Sequence, residues 1–68
     1  MQISLKAARV NAGLKQREAA KAVGVDVTTI IKWENGKTVP RADQLQTLCR
    51  VYNTPIDFIF LREKSTLS

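Results

Sequence analysis

Apolar residues fall along this chain in short bursts at three- and four-residue spacing, and each burst is closed by a residue that favours a turn. Leu5 to Asn11 or Ala12 follows Ser4, whose hydroxyl can accept an orphan backbone N–H, and Gly13 supplies the left-handed residue that ends this first helix. Gln16 to Val23 reads as a second helix, rich in alanine and stopped by Gly24. Asp26 is a cap for a third, running from Val27 to about Asn35 and ending at Gly36, with Val25 placed to staple onto Ile30. Lys37 to Arg41 is a short loop because Pro40 disfavours helix in the residue before it. Ala42 to Tyr52 then sets Leu45, Leu48, Cys49 and Tyr52 on one stripe, and Asn53 ends it. Thr54-Pro55-Ile56-Asp57 has the order of a cap, a proline at the first helical position and an acid three residues after the cap. That order predicts a fifth short helix from Pro55 to about Arg62.

No strand-like alternation, internal repeat or low-complexity stretch interrupts this pattern. The expected architecture is all-α, a compact five-helix bundle in one domain over residues 1–62, with a polar C-terminal tail at 63–68. Helices this short are not stable alone, so their apolar stripes must meet in one core. The expected core is Leu5, Ala8, Leu14, Ala20, Val23, Val25, Ile30, Trp33, Leu45, Leu48, Tyr52, Ile56, Ile59 and Phe60.

Composition narrows the chemistry. With 68 residues there is room for one domain, and 44% hydrophobic residues argue against disorder. A single cysteine, Cys49, excludes an internal disulfide, and the absence of histidine removes the commonest metal ligand and general base. The longest apolar run, Phe58 to Leu61, is far short of a membrane span, and the N-terminus lacks a signal pattern. These features suit a soluble, cytoplasmic protein, neither an enzyme nor a cofactor carrier. The charge is +5, with a sequence pI near 9.9, and residues 1–40 hold seven of the bases against three acids. Basic composition alone fits nucleic acid, an anionic membrane surface or an acidic protein partner.

Residues 16–35 discriminate among these. Two short helices flank Gly24, which can take the positive φ of a sharp turn, and Ala20 is small enough for their backbones to approach. Val23, Val25, Ile30 and Trp33 then plug the angle between them. This is the pattern of a helix-turn-helix.

The run Leu14-Lys15-Gln16-Arg17-Glu18-Ala19-Ala20-Lys21-Ala22-Val23-Gly24-Val25, with Ile30, Trp33-Glu34-Asn35-Gly36-Lys37 and Pro40, resembles the helix-turn-helix of the lambdoid phage repressor and Cro family, also called the XRE family. The likeness continues through Leu45, Leu48, Tyr52, Ile56, Asp57, Ile59 and Phe60. It implies a five-helix lambda repressor-like domain that binds DNA, usually as a dimer on a partly palindromic operator, and regulates transcription. Departures are visible. Lys15 stands where a Ser or Thr cap is usual, which leaves the second helix to rely on Glu18 folding back and on Gln16. Ala19 replaces a usual leucine, Arg41 a capping serine and Asn53 a frequent glycine.

On a helical wheel Ile30, Trp33 and Glu34 point inward, Thr28 and Lys32 point directly away, and Val27, Thr29 and Ile31 lie on the flanks. The inward phase makes Trp33 core and not a stacking platform. A helix fits the major groove and reads base edges there, so Val27, Thr28, Thr29 and Lys32 are the candidate base readers. Ile31 is open between thymine methyls and the Lys37 to Arg41 loop. Gln16, Arg17, Asn35, Lys37 and Arg41 are the candidate phosphate ligands, Gln16 from the start of the second helix. The resemblance also pairs Arg9 with Glu34 as a structural ion pair.

The function this implies is a sequence-specific double-stranded DNA-binding transcriptional regulator, a repressor of phage, mobile-element or bacterial origin. It would act in the cytoplasm, associated with the nucleoid, as a homodimer on DNA, without a small-molecule ligand. Phe58 and Leu61 are candidates for the dimer surface or for a satellite of the core. Two other readings share the fold, an antitoxin whose toxin covers an exposed apolar surface, and a protein-interaction module that has lost DNA binding.

Overall fold

In the computed structural model, which describes residues 2–61, the Ser4 hydroxyl accepts the backbone N–H of Ala7 at 3.0 Å and opens α1 (Leu5–Asn11). α2 (Gln16–Val23) begins at Lys15, whose side chain has no acceptor to offer. Only the return half of a capping box forms there, with the Glu18 carboxylate accepting the Lys15 backbone N–H at 2.7 Å. α3 (Val27–Glu34) is capped by Asp26, which accepts the Thr28 N–H at 3.1 Å. α4 (Ala42–Val51) repeats the device of α2, the Arg41 N–H donating to Gln44 Oε1 at 2.9 Å.

Between α2 and α3 the chain reverses at Gly24, whose φ of +85° is a region that side chains avoid. The backbone N–H groups of Gly24 and Val25 both reach back to the Ala20 carbonyl, at 2.8 and 3.0 Å, so the turn closes on the carbonyl of the small residue that lets the helices approach. α2 packs against α3 and α4, and α1 packs against α3. At the centre Ile30 and Leu48 are almost sealed from solvent, with Ala8 and Ala19 fully enclosed around them and Leu5, Ala20, Trp33, Cys49, Tyr52 and Ile59 completing the core. Ala19 therefore belongs to the core although its side chain is small. Leu14, Val23, Val25 and Leu45 line its edge.

The last segment departs from the sequence expectation. Four α-helices are present among the described residues, not five. In place of a helix over Pro55 to Arg62 there is a single 3-10 turn, Ile56–Phe58, followed by β2 (Ile59–Phe60), which pairs in parallel with β1 (Ile3–Ser4). Part of the reason is local. Thr54 turns its hydroxyl back to donate to the Tyr52 carbonyl at 3.1 Å and accepts none of the N–H groups ahead. Pro55 is extended, and Ile59 and Phe60 are residue types that favour strand. Ile3 meets Ile59 in register, which ties the two ends of the fold together. Two-residue strands are too short for alternation to register in a sequence.

Two residues leave the expected core with this change. Ile56 and Phe60, expected in the core, are about half exposed, as is Phe58, whereas Leu61 packs partly against the core. Ile56 instead borders an open groove with Cys49 and Pro55. Arg62 and the tail at 63–68 lie outside the described residues. Among the described residues no helix is long and apolar enough to cross a membrane.

Candidate nucleic-acid interface

α3 presents two unlike sides because its apolar residues recur at helical spacing. Ile30, Trp33 and Glu34 are buried, while Thr28 and Lys32, one turn apart, are exposed. Val27 and Thr29 are half-buried on opposite flanks. Ile31 is 37% exposed and Val39 in the loop that follows is 47% exposed, while Pro40 of the same loop is buried. After α3 the backbone folds over its own end, the Lys37 N–H donating to the Lys32 carbonyl at 2.9 Å, which holds the Lys37 backbone beside the last turn.

The flanking polar residues fall in two groups. Arg17, Asn35 and Lys37 are exposed, and no hydrogen bond engages their side chains among the described residues. Arg41 is also exposed but lies against Asp43, with Nε donating to Oδ1 at 3.2 Å. That contact raises the Arg41 pKa and lowers that of Asp43 through the hydrogen bond between them. Both side chains are so solvated that the pair restrains Arg41 only weakly.

Gln16 occupies the first turn of α2, half-buried, and its Nε2 donates to Glu34 Oε1 at 3.1 Å. Glu34 at the same time receives Arg9, Nε to Oε2 at 2.7 Å and Nη2 to Oε1 at 3.2 Å. The free Nη1 of Arg9 donates to the Leu14 carbonyl at 2.9 Å. The hydrogen bond that Arg9 donates to Glu34 raises the Arg9 pKa against the opposing effect of burial. Arg9 thus ties together the end of α1, the α1–α2 loop and the end of α3.

Two of these links are absent from the sequence reading. The bond from Gln16 to Glu34 joins residues 18 positions apart, which spacing alone does not reveal. The Leu14 carbonyl was foreseeable in kind, since a guanidinium with five donors cannot be satisfied by one carboxylate. Asp26 places a carboxylate at the leading edge of α3, beside Thr28. The side chain of Thr28 and then its backbone N–H hold the Asp26 pKa below the ordinary carboxylate value.

A family model described as Helix-turn-helix matches residues 5–59, from the first residue of α1 to the first of β2. Two proteins of Archaeoglobus fulgidus are similar over almost the whole chain, each named an uncharacterized HTH-type transcriptional regulator. One is 34% identical over 67 residues, covering 98% of this chain and 94% of the relative, and the other is 33% identical, covering 98% and 96%. No solved structure matches significantly. With the turn at Gly24 and the two-sided α3 inside the matched span, the chain belongs to the XRE-type helix-turn-helix family.

Proposed function

We propose that the protein is a sequence-specific regulator of transcription, a repressor, that lays α3 in the major groove of double-stranded DNA. The observation that carries this is the division of α3, which buries Trp33 and Glu34 and leaves Thr28 and Lys32 outermost on a chain of charge +5. Lysine can donate to the major-groove acceptors of guanine, threonine can pair with either kind of base edge, and the Val27 methyls can meet a thymine methyl. Thr29 reads from the other flank. Gln16, Arg17, Asn35, Lys37 and Arg41 grip phosphates on either side, Gln16 exchanging or sharing its bond to Glu34. The names of the two relatives, both HTH-type transcriptional regulators, support the same assignment.

One reading helix spans few base pairs, so tight binding calls for two copies about one helical turn of DNA apart, roughly 34 Å, on a partly palindromic operator. The exposed Ile56, Phe58 and Phe60 offer apolar area for the second copy. The same residues favour a second reading, an antitoxin whose toxin covers them. Sedimentation of the purified chain with and without duplex separates the two, because a homodimer forms without any other protein.

Selection of bound duplexes from a random pool tests the function. A consensus should emerge, relax with Thr28→Ala and Lys32→Ala, and persist with Lys37→Ala, which should weaken all sequences and reduce the salt slope by about one unit. No enrichment at moderate salt, even from a covalently linked dimer, overturns the proposal.

A further inference from the structure

We infer that Ile31 is a specificity-determining residue that reads the 5-methyl group of a thymine, an inference that rests on the DNA-binding reading of α3. On the α3 wheel, with the buried Ile30, Trp33 and Glu34 marking the interior, Ile31 lies closer to the outward direction than Val27 or Thr29. Its exposure agrees, since Ile31 is 37% accessible while Val27 and Thr29 are both half-buried. Thr28, Ile31 and Lys32 stand at i, i+3 and i+4, the three positions that form one contiguous triangle on a helix surface. A base-reading triangle therefore holds one polar hydroxyl, one cation and one branched alkyl group.

The alkyl group defines its own ligand. Ile31 keeps 37% of its surface open to solvent beside the loop after α3, in which Val39 is 47% exposed and Pro40 is buried. A duplex offers the outer face of such a helix phosphates, polar base edges and one apolar group, the thymine methyl in the major groove. Ile31 beside phosphate or a polar edge would desolvate those groups without pairing them, whereas against a methyl it removes apolar surface from water on both sides. Thr28 and Lys32, hydrogen-bonding on either side, fix which base step the methyl must occupy.

The test uses the whole chain and the duplex selected from the random pool, with each thymine of the half-site replaced in turn by deoxyuridine, which lacks only the methyl. One replacement should weaken binding of the wild-type chain by about threefold to tenfold, and Ile31→Ala should bind the thymine and deoxyuridine duplexes equally. If the wild-type chain binds every substituted duplex as tightly as the parent, the inference is overturned, and this arm needs no variant to fold. If Ile31→Ala keeps the full deoxyuridine penalty, another residue reads the methyl and the inference is likewise overturned. Failure to select any duplex overturns the DNA-binding reading beneath it, which separates the two failures.

Discussion

Arg9 and Glu34 meet side-on across 25 residues of sequence, with Nε to Oε2 at 2.7 Å and Nη2 to Oε1 at 3.2 Å, and their side chains are only 10% and 4% exposed. Such a pair is costly to desolvate and stands because its remaining donors and acceptors are used, by Leu14 on one side and Gln16 on the other. Its consequence is geometric: the last residue of α3 is held against the start of α2.

Removing one partner leaves the other charge buried and unpaired, so Arg9→Met or Glu34→Gln should cost about 3–5 kcal/mol. For a chain of this size that is a large share of the total, on the order of 3–10 kcal/mol. The double variant should lose much less than the sum. Urea titrations followed by the emission of Trp33, the sole tryptophan, give all four corners of the cycle. Additive losses would mean that the two charges do not stabilise one another.

Gly24 isolates a backbone effect. A Cβ built there meets nothing within 4 Å, so a substitution produces no clash, yet φ is +85°. Gly24→Ala should therefore cost about 1–2 kcal/mol from conformation alone. A loss far above that range would reveal a steric contact that the turn does not contain, and no loss would mean that the turn relaxes.

These stability terms bear on how much of the fold was legible in the sequence. Ser4, Gly24 and Asp26 marked the helix ends because each acts through its own backbone neighbourhood, and the phase of α3 followed from Ile30 and Trp33 for the same reason. The segment after Thr54 was misread because its conformation is decided at a distance: Ile59 pairs with Ile3, at the other end of the chain. A proline and an acid at cap spacing describe a helix start only when the cap side chain faces forward, and Thr54 faces back. Gln16 looked like a plain phosphate donor because nothing local points to Glu34.

On the proposed DNA-binding reading, Asp26 couples stability to recognition. Its pKa is lowered in the fold by Thr28, so it contributes stability that is present above the ordinary carboxylate pKa and is lost as pH falls through the lower folded value. Asn caps as well as Asp does, so Asp26→Asn should retain stability at neutral pH and remove this acid-side dependence. It also deletes a negative charge beside the ridge of Thr28 and Lys32. Affinity for duplex should rise, most at low salt, where exposed charges are least screened. Fluorescence anisotropy at two salt concentrations, with melting curves at pH 3 to 7 as a check, would measure both effects. Weaker binding by this variant would place Asp26 in a base contact instead.

Tyr52 governs the alkaline limb. Burial first, and the nearby Glu34 charge second, push its phenol up to about 12, with Arg9 opposing them. An unfolded tyrosine ionises near its ordinary value of about 10, so below that pH the residue gives up no proton in either state and its contribution to stability is complete. Between pH 10 and about 12 the unfolded chain has released the proton and the folded chain has kept it, so stability falls, by at most about 1.4 kcal/mol per pH unit. Tyr52→Phe keeps the buried ring and removes this descent, so the two proteins should diverge in urea midpoint only on the approach to pH 11. Tyr52 is the sole tyrosine, which lets the ultraviolet absorbance of the phenolate report its ionisation directly. Absorbance that rises near pH 10 in the folded protein, with identical urea midpoints for both proteins, would show the phenol free to ionise in place and remove Tyr52 from the alkaline transition.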